Sequence, residues 1–189
     1  LIDVSENIIK EFTKTGLLLS DGTSYELDSC IFATGFDAMT GSLDKIQING
    51  KNGLSLKEKW GDGPRTYLGL GISGFPNLFH IAGPGSPSVL TNMMASIQQH
   101  VEWIADCINW MSKNGYTRIE AEDNAENDWV DHVNEVAEGT IYPSCNSWYL
   151  GANIPGKTRQ FMPYIGGYPY YVKKCNEVAS RGYDGFSLS

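Results

Sequence analysis

The stretch YLGLGISGFPNLFHIAGPGSPS, Tyr67 to Ser88, decides the fold because it holds two glycine-rich turns that look alike and demand opposite readings. The first, Gly69-Leu70-Gly71-Ile72-Ser73-Gly74, is a literal G-x-G-x-x-G. That fingerprint binds dinucleotides when a strand feeds a tight turn that delivers pyrophosphate to the N-terminus of a helix. Here FPNLFHIAG follows, and its apolar run reads as a buried strand, so no helix N-terminus is placed to receive phosphate. GLGISG is therefore expected to be a turn between strands. The second, GPGSPSVLTNMM, has the required order: the predicted strand ends in glycine and a helix begins. Main-chain N–H groups near Ser88 to Met93 would then meet a carbonyl or an anion, although an ordinary strand-to-helix turn has the same letters.

Outward from that turn, Leu90, Met94, Ile97, Val101, Ile104, Ile108 and Met111 alternate spacings of four and three and predict a long helix buried along that stripe. Ser86 or Ser88 is its expected cap and Gly115 its stop. Trp103 and Trp110 lie beside the stripe as core residues. A second helix is expected from about Ala121 to Ala137, buried through Trp129, Val133 and Val136, with Glu122, Asp123 and Glu126 near its positive end. A third is expected from Pro169 to Ser180, with Tyr171, Cys175 and Val178 inward and Gly182 as the stop. Between them, Gly139 to Gln160 shows no periodicity and is longer than ordinary connections, the mark of a functional or mobile loop.

Towards the N-terminus, IIKEF and GLLLS joined by TKT, then SYEL after the Asp21-Gly22 turn, read as hairpins. CIFATG, Cys30 to Gly35, reads as a continuous buried strand. Asp37 to Arg65 is irregular apart from one alternating strand at Lys45 to Ile48, an Asn49-Gly50 turn and a short helical SLKEKW. The class is α/β, with β-hairpins and buried strands plus about three long helices.

The 22 acidic and 14 basic residues give a net charge of −8, and no basic cluster exceeds Lys173-Lys174, which argues against nucleic acid. No apolar run approaches a bilayer span and LIDVSENIIKEF lacks signal-peptide character, so no membrane partner and a cytoplasmic location are expected. Cys30, Cys107, Cys145 and Cys175 form no C-x-x-C and read as thiols. His80, His100 and His132 have none of the spacings of a metal site. No nucleophile and base stand together: the histidines are scattered and Cys145 has no activating partner.

FATGFDA (Phe32 to Ala38), LFHIAGPGSPSVLTNM (Leu78 to Met93) and SWYLGANIPGK (Ser147 to Lys157), in this order and at these distances, closely resemble the C-terminal part of Baeyer–Villiger monooxygenases. These class B flavin monooxygenases use FAD and NADPH to insert oxygen beside a ketone. The resemblance covers the whole chain and is nearest the branch acting on phenyl- and steroid-type ketones. It implies that Ala33, Thr34 and Gly35 lie at the crossing from NADP domain to FAD domain, close to the nucleotides. It places Asn92 and Met93 beside the isoalloxazine, and Pro87, Ser88, Val89, Leu90 and Thr91 against the ketone. The long loop resembles the lid over NADP, with Trp148 reaching the cofactor. Lys157 and Arg159 are left open, either phosphate partners or solvated.

The resemblance also implies what this sequence lacks: both dinucleotide fingerprints, the signature between them and the catalytic arginine, expected upstream. The chain opens without Met and is expected to be the C-terminal fragment of a two-dinucleotide-binding-domain flavoprotein, inactive alone. Residues 1–36 would be the end of the NADP region with its crossing strand, and 37–189 the C-terminal part of the FAD domain. Ketone, O2 and the N-terminal remainder of the enzyme are the implied partners. Two alternatives stay open: a related N- or S-oxidising flavin monooxygenase, or a non-catalytic binding module of the same descent.

Overall fold

The computed structural model describes every residue except Leu1 and Thr34. The chain divides into two compact units, residues 1–36 and 37–189.

In the first unit, β1 (Ile9–Phe12), β2 (Gly16–Leu19) and β3 (Ser24–Glu26) form an antiparallel meander in the order β1-β2-β3. The Asp21-Gly22 turn is made as its letters require, with Gly22 at φ 92° and the Asp21 side chain accepting from the Thr23 N–H at 2.7 Å. CIFATG departs from expectation. Its described residues form no strand, and Ile31 and Phe32 are 90% and 69% exposed. A strand exists only through ladder bonds to neighbours, and among the described residues none pairs with this run.

The second unit is built on α1 (Leu56–Lys59), α2 (Met93–Asn114), α3 (Asp123–Glu138) and α4 (Tyr168–Ser180), with β4 (Ile119–Ala121) antiparallel to β5 (Phe186–Leu188). Local chemistry sets the ends. Ser55 and Glu58 make a reciprocal capping box on α1, and Gly115 ends α2 in the left-handed conformation at φ 76°. The alternating strand at Lys45 to Ile48 does not form. Asn49 makes one antiparallel bridge to Ser55, and the turn between them is at Asn52-Gly53, both at positive φ, rather than at Asn49-Gly50. NLFHIAG is likewise no strand: Phe79 bridges Gly71 and the His80 N–H donates to the Leu70 carbonyl at 2.9 Å, but Ile81 is exposed.

The GLGISG turn sits at the middle of this unit. Leu68, Leu70 and Ile72 are wholly buried, the first two among Trp103, Cys107, Trp129, Tyr171 and Phe186. Gly69 has φ 71°, and an added Cβ would lie 2.6 Å from that of Ser86, so glycine is required there. No helix follows, as expected, and its N–H groups are already engaged. Ser73 N–H donates to Glu126 at 2.9 Å and Gly74 N–H to Glu120 at 3.0 Å. The protein's own carboxylates occupy the donors that a phosphate would need.

The register of α2 is the largest correction. Its buried face is Ser96, His100, Trp103, Cys107 and Met111, whereas Met94, Val101 and Ile108 of the predicted stripe are 74%, 46% and 52% exposed. Two of its polar members are bonded there: His100 holds two partners and Trp103 Nε1 donates to the Cys175 carbonyl at 3.0 Å. The helix thus carries a mixed polar and apolar face used within the unit and an apolar stripe that is open.

Candidate functional site

The segment Ala82 to Met93 is clamped from several sides. Gly85 N–H donates to Met162 O at 2.7 Å, Tyr164 N–H to Ser86 O at 2.8 Å, Trp129 Nε1 to Gly85 O at 2.9 Å and Thr66 Oγ1 to Pro84 O. Ser86 Oγ closes the turn onto Gly83 O at 2.7 Å. Beyond it, Ser88 to Leu90 make one turn of 3-10 helix, and Asn92 caps α2, its Oδ1 accepting from Met94 N–H at 3.0 Å. The expected caps Ser86 and Ser88 do not serve α2, because both are buried and the 3-10 turn intervenes. The first turn of α2 holds no acidic side chain, which leaves its positive end unneutralised.

Within this segment, Pro87 and Ser88 are buried, Leu90 and Thr91 half-buried, and Val89 and Asn92 exposed, with Met93 between. Ser88 is held at φ 42°. Leu90 packs on a cluster of Ala137, Leu150 and Phe161 that also gathers Tyr142 and Tyr149. The predicted pocket turn and the long loop therefore share one apolar cluster. Trp148 stands at its edge, 36% exposed, its ring 4.2 Å from that of Tyr149.

The loop's two cations are engaged within the unit. Lys157 pairs with Asp37, and Arg159 donates to Asn146 Oδ1 at 2.7 Å and Cys145 O at 3.0 Å. Ala33 and Gly35 lie in the first unit, both exposed, with Gly35 at φ 77°. Thr34 is outside the described residues.

Three buried side chains carry polar atoms without a hydrogen-bond partner among the described residues: Ser96 Oγ, Gln99 Oε1 and both ring nitrogens of His80. Burial holds His80 down to about 4, and the same cause holds His100 to about 4. All four cysteines are free, and burial pushes Cys107 and Cys175 up to about 12, which makes them inert. No group of metal-holding side chains occurs among the described residues. Two surface grooves, about 470 Å³ beside Ile108 and Tyr116 and about 410 Å³ beside Asp128 and His132, contain no predicted site residue.

Sequence reasoning missed the buried network of His100, Tyr171 and Leu68. The i, i+4, i+7 run Ser96, His100, Trp103 was its available signal, hidden because two of the three letters are polar.

No protein-family model matches the chain. Cyclohexanone 1,2-monooxygenase of Acinetobacter sp is 40% identical over 188 residues, 100% of this chain and 34% of that protein. A phenazine N-monooxygenase of Lysobacter antibioticus is 39% identical over 188 residues, again 100% of this chain and 34% of the relative. Among solved structures, an oxidized steroid monooxygenase bound to NADP is 48% identical with TM-score 0.88, covering 100% of this chain and 35% of that one. An OTEMO complex with FAD and NADP is 39% identical with TM-score 0.90, covering 100% and 34%. The chain spans about a third of the length of the curated relatives it matches.

Proposed function

We propose that this chain, whose likeness to Baeyer–Villiger monooxygenases runs its entire length, supplies the flavin-side turn and the NADP lid of such an enzyme. The complete enzyme would use FAD and NADPH to convert a ketone and O2 into an ester or lactone, NADP+ and water. FAD supplies the oxygen activation and NADPH the hydride; the protein orients, excludes water and sets the field.

The observation that carries this reading is the open apolar face of α2, Met94, Val101 and Ile108 in line at seven-residue steps. A face of that kind marks an interaction surface, and the exposed Ile31 and Phe32 of the first unit are a second. Relatives three times as long have the extra chain to cover both.

Within that frame, Val89, Leu90 and Thr91 meet the ketone, while the buried Pro87 and Ser88 frame the turn. Asn92 and Met93 lie beside the flavin, where the unneutralised end of α2 favours negative charge on the ring. Ala33, Thr34 and Gly35 lie near the nucleotides. Trp148 closes over NADP, with the loop held in shape by Arg159 and Lys157. The residues fit the cofactors in one specific respect: the first turn of α2 holds no acidic side chain and Asn92 at its cap is exposed. Residues 1–36 are the end of the NADP region and 37–189 belong to the FAD domain. The expected location is cytoplasmic; among the described residues no helix is long and apolar enough to cross a membrane.

The test is a titration of FAD, then NADPH, against this chain alone and against it joined to the N-terminal two-thirds, read by flavin fluorescence and ketone-dependent NADPH loss. Binding and turnover only in the joined protein support the reading. FAD binding and turnover by this chain alone defeat it. An N-oxidising enzyme is a second reading, favoured by the 39% identity to a phenazine N-monooxygenase; an N-oxide in place of an ester would establish it.

A further inference from the structure

We infer that His100 is a positioning residue that fixes the take-off of the ketone-facing turn through the Ala82 amide. His100 is wholly buried in the second turn of α2. Its Nδ1 accepts from Ala82 N–H at 2.8 Å, and its Nε2 lies 2.8 Å from the Tyr171 hydroxyl. That hydroxyl donates to the Leu68 carbonyl at 2.6 Å. Only one proton arrangement satisfies all three contacts. Nδ1 must be bare to accept, so the neutral ring carries its proton on Nε2 and gives it to Tyr171, whose own proton goes to Leu68. Burial keeps the ring neutral, so the acceptor persists through ordinary pH.

What the network holds is a strained point. Ala82 has φ 54°, a left-handed conformation that costs a non-glycine residue free energy and needs an outside hold. Ala82 opens the run Gly83-Pro84-Gly85-Ser86 that ends in Pro87 to Thr91. Asn92 then starts α2, which returns through His100 to Ala82. The segment is thus pinned to one helix at both ends, and His100 is the pin at its entrance. Tyr171 brings α4 to the same point and Leu68 the GLGISG turn. This inference rests on the reading of Pro87 to Thr91 as the ketone-facing turn.

Two substitutions separate the halves of the ring. His100→Asn puts an amide oxygen where Nδ1 stood and keeps an acceptor for Ala82; His100→Gln reaches Tyr171 and leaves Ala82 without one. In the complete FAD-containing enzyme, hydrogen exchange at the Ala82 amide is expected to quicken in the Gln variant and stay near wild type in the Asn variant. KM for the ketone should rise about tenfold in Gln alone, with kcat less affected, since displacing a positioning segment costs on that scale or more. Equal exchange in the two variants overturns the inference. Different exchange with equal KM overturns it as well; in that case Leu90→Ala shows what has failed. A changed ketone profile in Leu90→Ala leaves the pocket reading standing without His100, and an unchanged one removes both.

Discussion

His80→Leu offers a sharp test of how this unit treats a buried imidazole. The His80 ring is 6% exposed, packs 5.6 Å from the Trp60 ring between centroids, and has no hydrogen-bond partner among the described residues for either nitrogen. Burial therefore holds it at about 4 in the folded chain, against 6.5 when unfolded. Because the folded value is the lower one, the unfolded chain binds more protons between pH 6.5 and 4. Stability is fully present above 6.5 and falls as the pH drops through that window. From pH 7 to pH 5 the loss works out at about 2 kcal/mol for His80 and about 2 kcal/mol for His100, which burial lowers to a similar value.

Urea unfolding of this chain followed by tryptophan fluorescence at the two pH values measures that loss. Wild type should lose about 4 kcal/mol from the two histidines and His80→Leu about half, a difference of roughly 1 M in the midpoint shift. At pH 7 the leucine should be neutral or stabilising by about 1 kcal/mol, because it replaces an unbonded polar ring by an apolar group of similar size. Parallel acid losses in the two proteins would refute the argument that His80 is held neutral by burial. A loss above about 2 kcal/mol at pH 7 would show that the ring nitrogens have partners.

Glu126 is 1% exposed and joins Lys59 Nζ at 2.8 Å to Ser73 N–H at 2.9 Å. Glu126→Ala leaves the mostly buried Lys59 ammonium only the exposed Asp123 carboxylate at 3.9 Å among the described residues, and should lower unfolding free energy by about 2 kcal/mol, with Gln recovering part of it; thermal melts compare the three. Trp148→Ala in the complete enzyme should weaken NADP(H) retention and slow turnover while moving the melting temperature little, since the ring is 36% exposed. Unchanged cofactor affinity and rate would count against its place in the lid.

What the sequence makes legible is what short-range chemistry decides. The Asp21-Gly22 turn, the short helical piece at SLKEKW and the Gly115 stop each depend on a few adjacent residues, and each forms where its letters require. The absence of a helix after GLGISG could be read for the same reason. Its consequence could not: Glu120 and Glu126, which take the turn's N–H groups, are 46 and 53 residues away. The misread face of α2 follows from equating apolar with buried. Seven apolar letters at helical spacing are a regular pattern, but His100 and Ser96 show that a helix can give part of its inner face to polar residues.

CIFATG and NLFHIAG fail for the complementary reason. Their letters specify strands buried on both faces, and such strands are a property of a sheet, not of a segment. Among the described residues that sheet is missing, so the same letters appear as exposed Ile31, Phe32 and Ile81. The three misreadings therefore converge. In each, an apolar surface that the sequence predicts to be covered stands open: Met94, Val101 and Ile108 on α2, Ile31 and Phe32 in the first unit, and Ile81 in NLFHIAG.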